Sequence, residues 1–178
     1  MSVVAAAERL SVRRLHWQRA AARDGAAGEL VDLLFDDQSW AVRYLVIDTV
    51  NAMPRRDLLV RPAQVESVMP LRLALTREEL KHCPELDEDR PVYLQMEIGK
   101  IGRAADPHLR SAEIMLGFAV REHGRAAGRV KDVELDAARW TIAALCVDSG
   151  VWLPGTRRML EPRSVRRIDW IARTIDLG

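Results

Sequence analysis

The chain has 178 residues, 48% of them apolar and 30% charged, which provides a core under a charged surface and fits one ordinary globular domain or two compact ones. Its 27 Lys and Arg against 26 Asp and Glu leave a formal charge of only +1, so no whole-molecule field favours nucleic acid as a partner. Two cysteines exclude a disulfide framework, and no run approaches the ~20 apolar residues of a membrane span.

In chain order, Ser2 to Ala7 is too short for the apolar heart of a secretion signal. Arg13-Arg14 is followed by Leu15-His16-Trp17-Gln18-Arg19 instead of the apolar stretch of a twin-arginine leader. With Cys146 inside an apolar run, a reducing, cytoplasmic setting is expected. Arg13 to Ala22 suits a helix or a strand. Leu30 to Phe35 is apolar apart from Asp32, Asp36-Asp37-Gln38-Ser39 supplies turn chemistry, and Trp40 to Ile47 resumes with β-formers, which together predict a hairpin. A proline-punctuated loop leads to a short strand at Leu58 to Val60.

Thr76-Arg77-Glu78-Glu79 has the form of a capping box, so one short connecting helix is expected from about Arg77 to Cys83, ended by Pro84. Glu85 to Asp89, closed by Pro91, reads as a solvated linker. Beyond it, Ile114 to Arg121 predicts a strand. Val130 to Leu135, a turn at Asp136-Ala137-Ala138-Arg139, and Trp140 to Val147 predict a second hairpin, and Met159-Leu160 a last short strand.

The two hairpins are copies of one another. At an offset of one hundred residues, without gaps, Ala26-Ala27-Gly28 meets Ala126-Ala127-Gly128, and Asp32, Asp36, Trp40, Leu45, Asp48, Pro54, Pro62 and Val65 meet identical residues, eleven identities in forty positions. Average composition gives roughly two or three by chance. The duplication organises the chain as a first repeat over 1–75, a connector over 76–107 and a second repeat over 108–178. Short, closely spaced strands in each repeat favour a small barrel, whose closure would remove sheet edges.

The stretch from Gly28 through Asp32, Asp36, Trp40 and Asp48 to Thr49 resembles the core of the PRC-barrel family, named for the cytoplasmic part of the photosynthetic reaction centre H subunit. The second copy carries the pattern at Gly128, Asp132, Trp140 and Asp148-Ser149-Gly150, and Leu75 to Pro84 with His108 to Ser111 is similar to the connector of tandem PRC-barrel proteins. The resemblance implies a mainly β fold of two small tandem barrels related by duplication. It also implies a docking role without catalysis, as in the H subunit and in the ribosome maturation factor that carries the barrel.

No residue pattern points to chemistry. His82-Cys83 lacks chelating spacing, the four histidines lie far apart in sequence, and no cofactor or metal is expected. The aspartates Asp32, Asp36, Asp132 and Asp136 read as side-chain caps of the hairpin turns, Asp48 and Asp148 as caps closing the second strands, and Gly28, Gly124 and Gly128 as tight turns. Trp40 and Trp140 read as barrel packing at equivalent strand starts. Trp152, in the loop Gly150-Val151-Trp152-Leu153-Pro154-Gly155, is the expected interface anchor together with Val151 and Leu153, because a large aromatic among turn residues has little to bury against. Arg43-Tyr44 faces Ala143-Ala144 in the alignment, so it marks a second place where the copies differ in what they expose. A protein partner, a second copy of the chain included, is therefore expected; the alternatives are a ribosome-assembly or RNA-associated role, favoured only by the four Arg-Arg pairs at Arg13, Arg55, Arg157 and Arg166, and an accessory subunit of a membrane-bound photosynthetic or electron-transfer complex.

Overall fold

The computed structural model describes residues 9–86, 108–149 and 157–178. It is mainly β, with two curled sheets that repeat the same order of elements at an offset of one hundred residues. The first repeat runs β1 (Arg9–Ser11), α1 (Val12–Leu15), β2 (Arg19–Ala22), β3 (Gly25–Asp36), β4 (Val42–Asp48), β5 (Asp57–Val60), a 3-10 turn at Pro62–Gln64, β6 (Val65–Val68) and β7 (Leu71–Leu73). Helix α2 (Arg77–Leu80) follows. The second repeat runs β8 (Leu109–Ser111), α3 (Ala112–Met115), β9 (Ala119–Glu122), β10 (Arg125–Asp136), β11 (Thr141–Asp148), β12 (Arg157–Leu160), a 3-10 turn at Pro162–Ser164, β13 (Val165–Asp169) and β14 (Thr174–Leu177).

The compact units do not coincide with the contiguous repeats. One, here the N-unit, is Arg14–Glu113; the other, the C-unit, is Met1–Arg13 with Ile114–Gly178. Each unit therefore holds one strand from the other repeat. In the N-unit the sheet order is β5-β4-β3-β2-β7-β6, and β8 of the second repeat lies on the far half of β3. In the C-unit the order is β12-β11-β10-β9-β14-β13, and β1 of the first repeat lies on the far half of β10. All pairings are antiparallel except β2 with β7 and β9 with β14.

A twelve-residue strand serves two neighbours on one edge because it is bent. β3 pairs through Glu29 and Gly28 with β2, then through Leu34, Phe35 and Asp36 with β8, while β4 follows it with register shifts between Leu30 and Asp32 and between Leu34 and Phe35. Such bulges increase local twist and curl the sheet. Gly28 and Gly128 lie inside β3 and β10, beside further register shifts against β2 and β9, not in the tight turns expected of them. Their φ values are +134° and +138°, and an added Cβ would stand 2.1 Å and 2.4 Å from the carbonyl oxygens of Asp48 and Asp148. Gly124 does occupy a turn, at φ +76°.

The expected closed barrel is not formed. Among the described residues no ladder joins β5 to β6 or β12 to β13, so each sheet is a half-barrel open at that corner. At this corner the chain passes directly from β5 into the turn begun by Pro62, and from β12 into the one begun by Pro162; proline lacks the N–H a continuing ladder needs. The concave faces bury Leu30, Leu33, Phe35, Leu45, Ile47, Leu58 and Leu71 in the N-unit and Val130, Val133, Leu135, Leu145, Val147, Leu160 and Ile175 in the C-unit.

Several local expectations change with the structure. Ile114 and Met115 belong to α3 instead of a strand, and the ambiguous segment from Arg13 divides into α1 and β2. Helix α2 has the predicted cap, with the Glu79 N–H donating to Thr76 Oγ1 and the Thr76 N–H donating to Glu79 Oε2, but it stops at Leu80. Glu85 and Leu86 are not free linker: the Leu59 N–H donates to the Pro84 carbonyl at 2.7 Å and the Leu86 N–H to the Asp57 carbonyl at 2.7 Å, which seats this segment along β5. Asp87 to Asp89 lie outside the described residues.

Candidate interaction surfaces

The aspartates divide into two structural jobs. Asp36 Oδ1 accepts from the N–H groups of Gln38 and Ser39 and from the Ser39 hydroxyl, and Asp136 Oδ1 accepts from the N–H groups of Ala138 and Arg139, so these two cap the hairpin turns as expected. For both, burial works against the charge and the turn hydrogen bonds outweigh it, which holds their carboxyls below the usual range. Asp48 Oδ1 accepts from the Val50 N–H and ends β4. Asp148 ends β11.

Asp32 and Asp132 are not turn caps. Each holds the strand that arrives from the other repeat. Asp32 accepts from the Ser111 hydroxyl and from the Glu113 N–H at 3.0 Å, and Asp132 accepts from the Ser11 hydroxyl and from the Arg13 N–H at 3.1 Å. The carboxylate thus fastens the last residue of the donated strand and the first turn of the helix after it. Burial pushes Asp32 up to about 6, against the hydrogen bonds from Ser111, Glu113 and Leu33.

The N-unit adds a second fastening. Asp37 accepts from Arg110 Nε at 3.0 Å, lies 3.0 Å from His108 Nδ1, and its N–H donates to the His108 carbonyl at 2.9 Å. The corresponding position in the C-unit is Ala137, and β1 has instead an exposed pair, Arg9 with Glu134 at 3.6 Å.

The convex faces also differ. In the N-unit, Leu34, Tyr44, Val46, Leu59 and Leu109 form a buried cluster against which Val31 and Leu86 pack. Tyr44, expected among exposed residues, is thus covered by the chain itself, while Arg43 is exposed and pairs with Asp36 at 3.4 Å. At the equivalent places the C-unit has Glu134, Ala144, Cys146, Met159, Arg9 and Lys131. Met159 is 44% exposed where Leu59 is 5% exposed.

Trp40 and Trp140 do not begin strands. They close the hairpin turns in left-handed conformation, at φ 60° and 53°, half-buried; Trp40 stacks on Phe35 at a centroid distance of 5.6 Å. Trp170 meets Phe118 edge-on at 5.3 Å. Trp17 is the exposed aromatic among the described residues. It is 60% exposed, sits at φ 64°, and lies beside the His16 ring at 4.8 Å. Its counterpart is Gly117 at φ +85°, and both residues make the same backbone bond, Trp17 N–H to the Leu30 carbonyl and Gly117 N–H to the Val130 carbonyl. Aligning this segment at the same offset would have exposed the Trp-for-Gly exchange. Val151, Trp152 and Leu153 lie outside the described residues.

His82 and Cys83 border a cleft of ≈ 390 Å3 with Leu59, Arg61, Gln64, Leu75, Glu79 and Pro84. Burial raises the Cys83 thiol, which disfavours the reactive thiolate. Among the described residues no group of three metal-ligating side chains converges. The Arg-Arg pairs are partly neutralised: Arg158 forms a bidentate pair with Glu122, Arg167 lies 3.4 Å from Asp169, and Arg56 lies 3.9 Å from Glu85. No described helix is long and apolar enough to cross a membrane.

Compared with profiles of known protein families and with curated protein sequences, the chain matches neither.

Proposed function

We propose that the chain is a non-catalytic protein-interaction module of the cytoplasm, built on two half-barrels of PRC type and able to associate with a partner or with itself. The observation that carries this reading is Trp17. A bulky residue at positive φ costs on the order of 1 kcal/mol, the other copy uses glycine at the same turn, and the ring is left in solvent instead of the core. The same turn and backbone bond form with glycine in the other copy, so the turn does not require tryptophan, and an exposed aromatic is a favoured anchor for a protein contact. The carboxylates Asp32, Asp36 and Asp136 support the reading from the other side, because each is engaged in holding a strand or a turn.

Sedimentation of the parent and of Trp17→Gly, with affinity capture from the native cell by both, tests it. The variant is expected to keep its fold and to lose self-association or a captured partner by tenfold or more. Equal association and capture by parent and variant would overturn the reading.

A further inference from the structure

We propose that the outer edge of β12 is a strand-addition site for an extended acidic segment of a partner protein, with an apolar residue next to the acid. The inference rests on the reading of the chain as an interaction module and names one of its surfaces. Its template is the other copy. In the N-unit the edge of β5 is occupied: the outward Leu59 N–H and Asp57 carbonyl pair with Pro84 and Leu86, Glu85 bridges Leu58 and lies near Arg56, and Leu86 packs on the convex apolar cluster.

β12 has the same register on β11 that β5 has on β4, Leu160 with Leu145 and Met159 with Cys146 matching Val60 with Leu45 and Leu59 with Val46. The outward groups are therefore the Met159 N–H and the Arg157 carbonyl. Among the described residues nothing pairs with that edge. A row of unpaired backbone groups is a ready template for an added strand, and main-chain bonds give such a complex its affinity while side-chain sites give its specificity.

The chemistry of the occupant follows from what borders the edge. Arg157 and Arg158 are exposed, with Arg158 already engaged by Glu122, so Arg157 is the cation available to an incoming carboxylate. Met159 offers half-exposed apolar area where the N-unit seats Leu86. The sequence of the C-unit carries 13 basic and nine acidic residues against 14 and 17 in the N-unit, so its field attracts acidic chain and its partner covers the edge with the acidic Pro84-Glu85-Leu86 pattern.

A fluorescent peptide with the sequence of residues 82–89, carrying Cys83→Ser, is the probe, added to the full chain and followed by anisotropy and by amide hydrogen exchange. Binding is expected, weakened several-fold between 50 and 300 mM salt, as counter-charge pairing requires, with protection gained at Met159. Met159→Pro removes only the outward N–H, which an edge strand tolerates, and should weaken binding tenfold or more without unfolding the C-unit. Arg157→Glu should weaken it, and a peptide with lysine in place of its acidic residues should not bind. Trp17→Gly should bind the peptide as the parent does, which separates failure here from failure of the module reading. Absence of binding to the folded parent, binding indifferent to Met159→Pro, or a dimer of the parent that Met159→Pro dissolves would each overturn the assignment.

Discussion

The N-unit and the C-unit share a scaffold and differ in how firmly it is fastened. Both bend a twelve-residue strand over a glycine, cap its turn with an aspartate, and hold a donated strand with a carboxylate. Only the N-unit adds the half-buried Arg110–Asp37 pair, the His108 contact and the cover of Pro84 to Leu86. The comparison teaches that duplicated copies keep what curls the sheet and diverge in what closes its surface. Among the described residues, the copy whose edge is left uncovered is the one with charge and apolar area there.

The largest effect should fall on the shared part. Gly28→Ala and Gly128→Ala each force a Cβ against a backbone carbonyl that cannot retreat, and each should lose about 3 kcal/mol or more of its own unit's stability in urea unfolding. A large loss at one and none at the other would break the equivalence of the two bends.

Next comes a dependence on pH at Asp32. A carboxyl raised to about 6 in the fold from 3.8 holds its proton more tightly folded than unfolded. Its stabilising contribution is therefore complete below about pH 4 and lost as pH rises through about 6. The stability of the parent minus that of Asp32→Asn should rise by roughly 1–3 kcal/mol between pH 7.5 and 4.5. A flat difference would mean that Asp32 is not the buried acid of this clamp.

The unequal fastening gives a smaller contrast. Arg110→Ala breaks a half-buried pair and should destabilise the N-unit by ~1–2 kcal/mol, whereas Arg9→Ala removes an exposed pair and should change the C-unit by less than ~0.5 kcal/mol. Native-state hydrogen exchange at the equivalent amides of Leu10 and Arg110 would rank the two strands directly; faster opening of β8 than of β1 would reverse the comparison. The smallest effect is expected of Trp17→Gly, which copies Gly117 and should move the thermal midpoint by no more than a few degrees.

The repeat and most of its strands were legible in the sequence because the offset keeps every bend glycine and turn aspartate in phase, from Gly28 with Gly128 to Asp36 with Asp136. The order of elements follows that phase closely. What the sequence hid was the exchange of strands. Ser11 and Ser111 are equivalent, as are Asp32 and Asp132, so either serine satisfies either carboxylate and the pattern is the same whether the strand stays at home or crosses. The half-barrel corners were hidden for a related reason, since Pro62 and Pro162 mark a turn without saying whether a ladder resumes beyond it. Trp17 was hidden because the run of identities that marks the repeat begins at Ala26, downstream of the exchange of Trp17 for Gly117.

The exchange also sets the order in which the chain can acquire structure as it is synthesised. The N-unit lacks its last strand until Ser111 has appeared. Ser11, 121 residues from the carboxylate that holds it, must wait until β10 of the second repeat has appeared. Contacts of such separation form late and slowly, so β1 spends most of synthesis as an unpaired strand. A nascent chain in that condition is open to any edge with a free carboxylate, including the same edge on a neighbouring copy, which makes the rate of elongation a determinant of whether the strand is captured by its own chain.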